Sequence, residues 1–189
     1  QQRQAADDER PRAAEGIQSA NAFLADHNDR CVLKPLFGSQ GNGVRLIDGA
    51  GALPPADDIG NVFYTQRYLR RADETQFLDW RVFVSRGRVL AAMARVGATW
   101  ITNIHQGAAA TAIHESDNET MSALALAAAQ AIGADYAGVD LICDADGQLN
   151  VLEINSNPAW KGLQSVTDVN IAWTLAEDFL TAVSAVAKT

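Results

Sequence analysis

The stretch that decides the fold begins Gly138-Val-Asp140-Leu-Ile-Cys143, passes through Asp146-Gly147 and returns as Leu149-Asn-Val-Leu-Glu153-Ile-Asn155. Two apolar runs on either side of an Asp-Gly pair are typical of a β-hairpin, because these two residues tolerate the backbone angles that its turn needs. We therefore predict a hairpin over residues 137–154.

Three oxygen-bearing side chains of this hairpin are expected to converge. Successive side chains of a strand alternate between its faces, so Glu153 and Asn155 share one side. Leu152 and Ile154 are expected to pack on the other. An all-oxygen set that adds Asp140 suits a hard cation such as Mg²⁺, which usually keeps water and substrate phosphates as further ligands. The alternative is that these groups are solvated acids on ordinary strands.

The turn of the hairpin allows a rival interpretation. Its sequence Asp144-Ala-Asp146-Gly147 superficially resembles the start of a calcium-binding loop. In such a loop the glycine takes the sixth position, whereas here it takes the fourth and strand-like residues follow. We interpret the segment as a tight turn.

Composition limits the classes of function. With 189 residues, 48% of them hydrophobic, the chain can form one domain or two small lobes. A net charge of −8 argues against nucleic acid as the main partner. Cys31 and Cys143 lie in apolar runs and are expected to be buried thiols in a reducing cytoplasm. No apolar run reaches membrane-spanning length, so we expect a soluble cytoplasmic protein with no membrane partner.

Periodicity predicts the remaining elements. We expect a polar, frayed tail over residues 1–12 and an irregular segment over 97–113. The expected helices cover about residues 11 or 15 to 28, 117–132 and about 170–187, and the expected strands cover 31–34, 44–47, 62–69, 77–85 and 88–96. The last two strands should turn at Arg86-Gly87.

Each predicted helix has an expected buried face and expected end signals. The middle helix has a capping box, Ser116-x-x-Glu119, and a stop at Gly133. Asp168 is the expected cap of the last helix. The expected buried faces comprise Ile17, Ala20 and Leu24 in the first helix, Met121, Leu124, Ala128 and Ile132 in the middle one, and Ala172, Leu175, Ala176, Phe179 and Val183 in the last.

A glycine-rich loop is the second chemical feature. It reads Lys34-Pro35-x-x-Gly38-Ser39-x-Gly41-x-Gly43. Glycines let a backbone approach an anion closely, and a neighbouring lysine adds a point charge for phosphate. The loop is neither a Walker loop nor a Rossmann fingerprint, and it joins two strands instead of opening a helix. The alternative is a tight hairpin that merely has a lysine beside it.

Taken together and in order, these pieces resemble the RimK-like branch of the ATP-grasp ligases, which add glutamate or a similar residue to a carboxylate. The resemblance covers residue 31 to the end of the last helix. Its motifs are Val32-Leu-Lys34-Pro35-Leu-Phe-Gly38-Ser39-Gln40-Gly41, Tyr64-Thr-Gln66-Arg-Tyr68-Leu69, Asp79-Trp-Arg81-Val-Phe-Val, Arg95, Thr102-Asn103-Ile-His105, Val139-Asp140 and Glu153-Ile-Asn155-Ser156.

The resemblance implies an α/β (α+β) ATP-grasp fold with two lobes, each an antiparallel sheet with packed helices. Residues 1–69 would form the lid lobe, and residues 70–189 would form the C-terminal lobe with the magnesium site. The family's usual N-terminal domain is expected to be lacking, since the chain begins just before the Lys34 strand.

The resemblance also implies a role for each matched residue. ATP would be held by Lys34, by a lid of Gly38, Ser39, Gln40, Gly41 and Gly43, by an adenine-reading linker of Gln66, Arg67, Tyr68 and Leu69, and by Asp79 near the ribose. Arg81 and Arg95 would face the phosphates or the acyl phosphate, and Asn103 would lie close to the transfer centre. Asp140, Glu153 and Asn155 would hold one or two Mg²⁺ ions, with Mn²⁺ as a substitute. Without the resemblance, Asp79 and the two arginines would be ordinary ion-pairing residues.

Some positions depart from the family pattern. Ile101 stands where the branch commonly has a basic residue, and His105-Gln-Gly-Ala108 stands where His-Arg-Gly-Gly is frequent. These changes put the acceptor or acyl-phosphate contacts in doubt. The segment over residues 155–164 resembles versions in RimK-like proteins of methylotrophs, for which a role related to tetrahydromethanopterin is suspected.

The expected function is an ADP-forming carboxylate–amine ligase that works through an acyl phosphate. Its partners would be a small-molecule or peptide carboxylate acceptor and an amino acid, and homo-oligomerisation stays open. One alternative is a nucleotide-binding module that is inactive alone or is a fragment of a larger ligase. A third alternative is a nucleotide-free structural domain.

Overall fold

The structure is a computed structural model that describes residues 12–14, 16–27, 30–38, 41–49, 51–69, 76–113 and 119–186. The chain divides into two compact units, Gln1–Leu69 and Arg70–Thr189. Each unit contains one antiparallel sheet with helices. The expected α+β class is therefore confirmed.

The first unit is a four-stranded sheet with one long helix. Its strands are β1 (Arg12–Ala14), β2 (Arg30–Lys34), β3 (Arg45–Asp48) and β4 (Phe63–Arg67), in the spatial order β1-β4-β2-β3, and its helix is α1 (Ile17–Asp26). A 3₁₀ turn covers Ala56–Ile59. The core between helix and sheet comprises Ala20, Phe23, Leu24, Cys31, Leu33, Ile47, Leu53 and Phe63.

Of the two starts expected for the first helix, residue 11 was wrong, and α1 begins two residues after the other, residue 15. Arg12–Ala14 pairs with β4 as a strand, and α1 begins at Ile17 after Gly16, whose φ is 107°. Ala20 and Leu24 are buried as expected, but Ile17 is exposed and Phe23, which was not predicted, is part of the core. Pairing with the edge of β4 outweighs the local helical pattern, because it satisfies backbone groups along the whole segment. The tail over residues 1–11 and the helix limit at residue 28 lie outside the described residues.

The second unit is a five-stranded sheet. Its strands are β5 (Phe77–Ser85), β6 (Arg88–Gly97), β7 (Ala109–Ile113), β8 (Tyr136–Cys143) and β9 (Leu149–Asn155), in the order β7-β6-β5-β8-β9, with helices α2 (Glu119–Ala131), α3 (Lys161–Gln164) and α4 (Ile171–Val186). One sheet face packs on α2 through Val82, Val84, Ala92, Met121, Ala125, Ala129, Ala137, Val139 and Leu141. The other packs at one end on α3 and α4 through Phe83, Met93, Leu163 and Ile171. Both predicted hairpins of this unit are confirmed.

Part of the segment expected to be irregular is ordered. Ala109–Ile113 forms strand β7 against Ala92–Val96, and Ile104–Gln106 is a 3₁₀ turn. The run is rich in alanine and lacks the alternation that predicts a half-buried strand. This segment becomes a strand because it pairs with β6, and that pairing cannot be predicted from the local sequence.

The predicted buried face of helix α2 is confirmed except at its end. Met121 is buried with Ala125 and Ala129, and Leu124 and Ala128 pack against this core, whereas Ile132 is exposed. Gly133 has a φ of 64° and ends the helix as expected. The capping residue Ser116 lies outside the described residues.

Two predictions for helix α4 were wrong. Its cap is Asn170, whose Oδ1 accepts a hydrogen bond from the Trp173 amide at 3.0 Å, and not Asp168. The buried side begins at Ile171, while the apolar residues Phe179 and Val183 are exposed. The expected stripe therefore points largely away from the core of its own unit.

Cys31 is completely buried, and burial raises its pKa to about 11. A thiol of this kind stays protonated and inert. Cys143 is only half-buried, contrary to the prediction, and its Sγ donates to the Gly147 carbonyl. Within the described part of the chain, no helix is both long enough and apolar enough to cross a bilayer.

Candidate functional site

The β8–β9 hairpin brings two carboxylates to directly opposite positions. Asp140 on β8 pairs with Glu153 on β9, and Gly138 pairs with Asn155. Opposite residues of an antiparallel pair point to the same face of the sheet. The three predicted metal ligands therefore share one face. The turn is stabilised by Asp144, whose Oδ1 accepts from the backbone amides of Asp146 and Gln148.

A β-bulge produces this register. Asp140 is opposite Glu153, but the next residue, Leu141, is opposite Val151, so Leu152 is the extra residue of β9. Val151 and Ile154 pack against the α2 core. The prediction that Leu152 and Ile154 form the packed side was thus wrong for Leu152.

Strand β5 lies beside β8 and adds charged groups to the same face. Arg81 is opposite Asp140, and it donates from Nε to Oδ1 and from Nη2 to Oδ2, the latter at 2.6 Å. Asp79, two residues earlier, is opposite Arg95 on β6. Arg95 donates to both oxygens of Asp79 at 2.6 Å, and its Nη2 lies 3.1 Å from Asp140 Oδ2. The four side chains form one chain of ion pairs across three strands.

This network is buried. Asp79, Asp140 and Arg95 are 3%, 5% and 6% exposed. Burial raises the pKa of Asp79 above its ordinary value, although hydrogen bonds from Arg95 oppose the shift. Burial disfavours the charge of Arg95, but Asp140 and Asp79 outweigh it and raise the pKa of Arg95. Buried charges of this kind persist only when they are paired, so each member depends on its neighbours.

The contacts of Arg95 lie within this network. Its guanidinium is engaged by two carboxylates and is almost fully buried. It therefore neutralises the buried charge of Asp79 and part of that of Asp140. Arg81 is somewhat more exposed, and its Nη1 also donates to the Ala159 carbonyl at 3.5 Å.

Asn103 is connected to this network through the residue before it in sequence. Its side chain caps the 3₁₀ turn at Ile104–Gln106 by accepting from the His105 amide at 2.8 Å. The preceding residue, Thr102, hydrogen-bonds Asp79 through its side chain. The sequence offered no specific signal for Thr102 beyond its place in the family motif.

The donor set fits a divalent cation. Glu153 is exposed, and no ion pair holds its carboxylate within the residues that the structure describes. Asn155 has a buried side-chain nitrogen that has no hydrogen-bond partner among the residues that the structure describes. An amide whose nitrogen is unsatisfied is equally well placed with its oxygen there, and an oxygen would be a metal ligand. Two carboxylates and one amide are oxygen donors of the type that Mg²⁺ takes.

The segment after β9 closes over the network. A Cβ on Gly138 would lie 2.7 Å from Pro158 Cβ and 3.3 Å from Arg81 Cδ, so only glycine fits there. Trp160 packs edge-on against Phe83, with ring centroids 6.2 Å apart. An open cavity beside it is lined by Asn157, Pro158, Ala159, Trp160, Lys161, Gln164 and Ser165. The sequence had singled out residues 155–164 as a segment that resembles part of the family, but it gave no sign that Pro158 packs against Gly138 beside Arg81.

The remaining predicted site residues lie in the first unit. Lys34 is opposite Tyr64, and Val32 is opposite Gln66, on adjacent strands β2 and β4. Leu33 faces the α1 core, so Lys34 and the buried Gln66 lie on the other face of this sheet.

The other three residues of the predicted adenine-reading linker, Arg67, Tyr68 and Leu69, lie at the end of β4 and just after it. Arg67 is opposite Cys31. Leu69 is buried, and the Tyr68 ring lies 5.4 Å from the Arg30 guanidinium carbon.

The glycine loop follows β2. Gly41 and Gly43 have φ of 75° and 76°, which favour glycine. A Cβ on Gly38 would lie 2.9 Å from Pro35 Cγ. Ser39 and Gln40 lie outside the described residues.

Comparison with known proteins extends this picture. The model of the RimK-like ATP-grasp domain family matches residues 4–179. The tetrahydromethanopterin:alpha-L-glutamate ligase of Methanococcus maripaludis is 36% identical over 173 residues, which cover 88% of this chain and 58% of that protein. The probable alpha-L-glutamate ligase of Shewanella halifaxensis is 37% identical over 150 residues, covering 75% and 31%. The chain thus spans little more than half the length of the first relative.

Solved structures show the same fold. The ATP-grasp ligase PsnB, in complex with a phosphomimetic variant of a minimal precursor, Mg and ADP, has a TM-score of 0.71 at 22% identity, covering 92% of this chain and 52% of that one. D-cycloserine synthetase DcsG has a TM-score of 0.66 at 18% identity, covering 93% and 66%. The expected ATP-grasp fold is confirmed.

Proposed function

This chain belongs to the RimK-like ATP-grasp family, and from that premise we propose that it carries the nucleotide and magnesium sites of an ATP-dependent carboxylate–amine ligase. One observation carries the proposal. Asp140 and Glu153 are opposite each other on one sheet face, beside two arginines that are bound to carboxylates. Such a set of fixed charges suits the handling of phosphoryl groups.

The proposed reaction has two steps. The γ-phosphoryl group of ATP passes to an acceptor carboxylate to give an acyl phosphate and ADP. The amine of an amino acid then attacks the acyl carbon, and inorganic phosphate leaves as the amide bond forms. The protein contributes orientation and fixed charge to both steps.

We assign roles to the residues of the second unit as follows. Asp140, Glu153 and Asn155 would hold Mg²⁺, which when bound neutralises charge on the phosphates. Arg81 would orient the transferring group, while Arg95 holds Asp79 and Asp140 in place. Asp79 would lie near the ribose, and Asn103 near the transfer centre.

The first unit is assigned to the nucleotide. Lys34 would bind phosphate, and the glycine loop would act as its lid. Gln66, Arg67, Tyr68 and Leu69 would contact adenine. Residues 1–69 and 70–189 would thus be the lid lobe and the metal-binding lobe, and a cytoplasmic location would supply both ATP and the reducing conditions that keep Cys31 a thiol.

The names of the relatives guide the choice of substrate. One is a tetrahydromethanopterin:alpha-L-glutamate ligase and another is a probable alpha-L-glutamate ligase. We propose glutamate as the amino acid that is added, with a small-molecule or peptide carboxylate as acceptor.

A nucleotide-binding module without ligase activity is the second candidate. Ile101 and the segment from His105 to Ala108 lack the cations that the family pattern has there. In that case the protein would bind a nonhydrolysable ATP analogue with Mg²⁺ and release no ADP with any amino acid.

The test is ADP release from ATP, Mg²⁺ and glutamate with a panel of carboxylate acceptors. Glu153→Gln should lower turnover on the order of 10²–10³-fold, because it removes one preorganised electrostatic contact. Asp146→Asn is the matched control, since it removes one exposed carboxylate from the same hairpin. Near-normal ADP release by Glu153→Gln would show that the metal assignment is wrong.

A further inference from the structure

Asp140 is already heavily engaged before any cation is considered. Arg81 donates to both of its oxygens, and Arg95 lies 3.1 Å from Oδ2. A carboxylate has about four acceptor positions. The two arginines use three of them, so the capacity that is left lies on Oδ1.

The charge of the surrounding face is nearly balanced. Asp79, Asp140 and Glu153 bring three negative charges, and Arg81 and Arg95 bring two positive ones. A divalent cation that approaches Asp140 therefore meets the Arg81 guanidinium on the same carboxylate. In a partly buried site this repulsion is poorly screened by salt.

A nucleotide changes that balance. Its phosphates bring several negative charges, which attract both the cation and a guanidinium. Arg81 is suited to respond because its side chain is less buried than that of Asp140, 13% against 7% exposed. The side chain of Arg95 is 7% exposed and is held by two carboxylates, so it is not free to move toward the phosphates.

We propose that Arg81 competes with the divalent cation for Asp140, so that this site binds metal weakly alone and tightly only together with nucleotide phosphates. Before nucleotide binds, Arg81 acts on the metal through Asp140. It compensates and orients the buried carboxylate until the metal–nucleotide complex arrives. The inference rests on the proposed function, because it takes Asp140 and Glu153 as metal ligands.

The experiment measures Mn²⁺ affinity, with free Mn²⁺ followed by electron paramagnetic resonance, with and without a nonhydrolysable ATP analogue. In the unaltered protein the analogue should tighten Mn²⁺ binding by about tenfold or more. Arg81→Gln should tighten Mn²⁺ binding without nucleotide by about tenfold, since one unit charge close to a divalent ion has an effect of that order even in a water-like medium. In Arg81→Gln the analogue should therefore increase the Mn²⁺ affinity by a smaller factor than it does in the unaltered protein.

Arg88→Gln is the matched control. Arg88 lies on the same β5–β6 hairpin as Arg81, and it is bound by the carboxylate of Asp178 on α4. The Arg88→Gln substitution removes one positive charge, as Arg81→Gln does, and it should leave the Mn²⁺ affinity unchanged.

The outcomes separate this inference from the proposed function. If Arg81→Gln binds Mn²⁺ no more tightly than the unaltered protein, while Glu153→Gln loses Mn²⁺ binding, competition is wrong and the metal assignment stands. If Glu153→Gln retains normal Mn²⁺ binding, both are wrong. Should Arg81→Gln fail to fold, the unaltered protein decides, because equal Mn²⁺ affinity with and without the analogue overturns the inference.

Discussion

Strand β6 provides the arginines of two arginine–aspartate pairs, one with Asp79 on β5 and one with Asp178 on α4. The two pairs differ mainly in how exposed they are. Arg95 donates to Asp79 from Nε and from Nη2, each at 2.6 Å, and Arg88 donates to Asp178 at 3.0 and 3.1 Å. The side chains of the first pair are 7% and 5% exposed, and those of the second are 49% and 15% exposed. Water and salt screen the second pair far more than the first. The comparison teaches that burial, and not pairing itself, decides how strongly an arginine and its carboxylate depend on each other.

The largest effect is expected from breaking the buried pair. Arg95→Gln leaves Asp79 without its ion pair and removes one of the two cations beside Asp140. We expect a loss of about 3–5 kcal/mol in the free energy of unfolding, because a buried charge loses its partner. Urea denaturation measures it. In the double variant Asp79→Asn/Arg95→Gln the loss should be smaller than the sum of the single losses, and simple additivity would contradict the coupling.

A smaller loss of stability is expected from a steric clash beside the buried network. Gly138→Ala places a methyl group 2.7 Å from Pro158 and 3.3 Å from the Arg81 stem. We expect a destabilisation of about 1–3 kcal/mol from overpacking, together with reduced ADP release as Arg81 shifts. Thermal unfolding and the ligase assay measure the two effects. An unchanged melting temperature would mean that the segment of Pro158 yields without strain.

Breaking the exposed pair should cost little. For Arg88→Gln we expect a loss of about 0.2–1 kcal/mol, as for other exposed ion pairs. A double-mutant cycle with Asp178→Asn isolates the interaction energy from the loss of each side chain. A coupling as large as that of Arg95 with Asp79 would show that exposure is a poor guide in this hairpin.

Acidity should act on the two aspartates with opposite sign. Burial would raise the pKa of Asp178, but hydrogen bonds from Arg88 and Ser85 outweigh it and lower that pKa. Asp178 therefore stabilises the fold at pH values above its ordinary, unfolded-state pKa. This contribution is lost as the pH falls through the folded-state pKa. For Asp79, whose pKa is raised by burial, the contribution is present at low pH and is lost as pH rises through the folded-state pKa.

The measurement is the unfolding free energy between about pH 6 and pH 3. Asp178→Asn should lose less stability over this range than the unaltered protein does. Asp168→Asn is the control, because Asp168 is exposed and does not cap α4. A parallel pH profile in the unaltered protein and Asp178→Asn would contradict the assignment.

Much of the fold was predictable because its strongest signals are local. The Arg86-Gly87 turn and the Asp146-Gly147 turn were correctly placed, and both glycines have positive φ. Turn chemistry depends on a few adjacent residues, so it can be read without knowing the rest of the molecule. The ordered family motifs then identified the fold.

Elements that depend on distant partners were missed. The strand at Arg12–Ala14 exists through β4, and β7 exists through β6. Helix α4 shows the same limit, since its predicted apolar stripe is largely exposed and Asp178 turns inward to Ser85 and Arg88. Periodicity identifies an apolar face but does not say which face meets the sheet.

By itself, the sequence determined which chemical groups this protein has and that they belong to an ATP-grasp fold. Only the tertiary structure decided which of them meet. Counting back from the Ser85–Arg88 turn would place Arg95 opposite Leu78, and a bulge between Phe83 and Val84 moves it opposite Asp79. A second bulge places Glu153, instead of Leu152, opposite Asp140. Since side chains alternate faces at every residue, one extra residue in a strand is enough to move a charged group from one side of the sheet to the other.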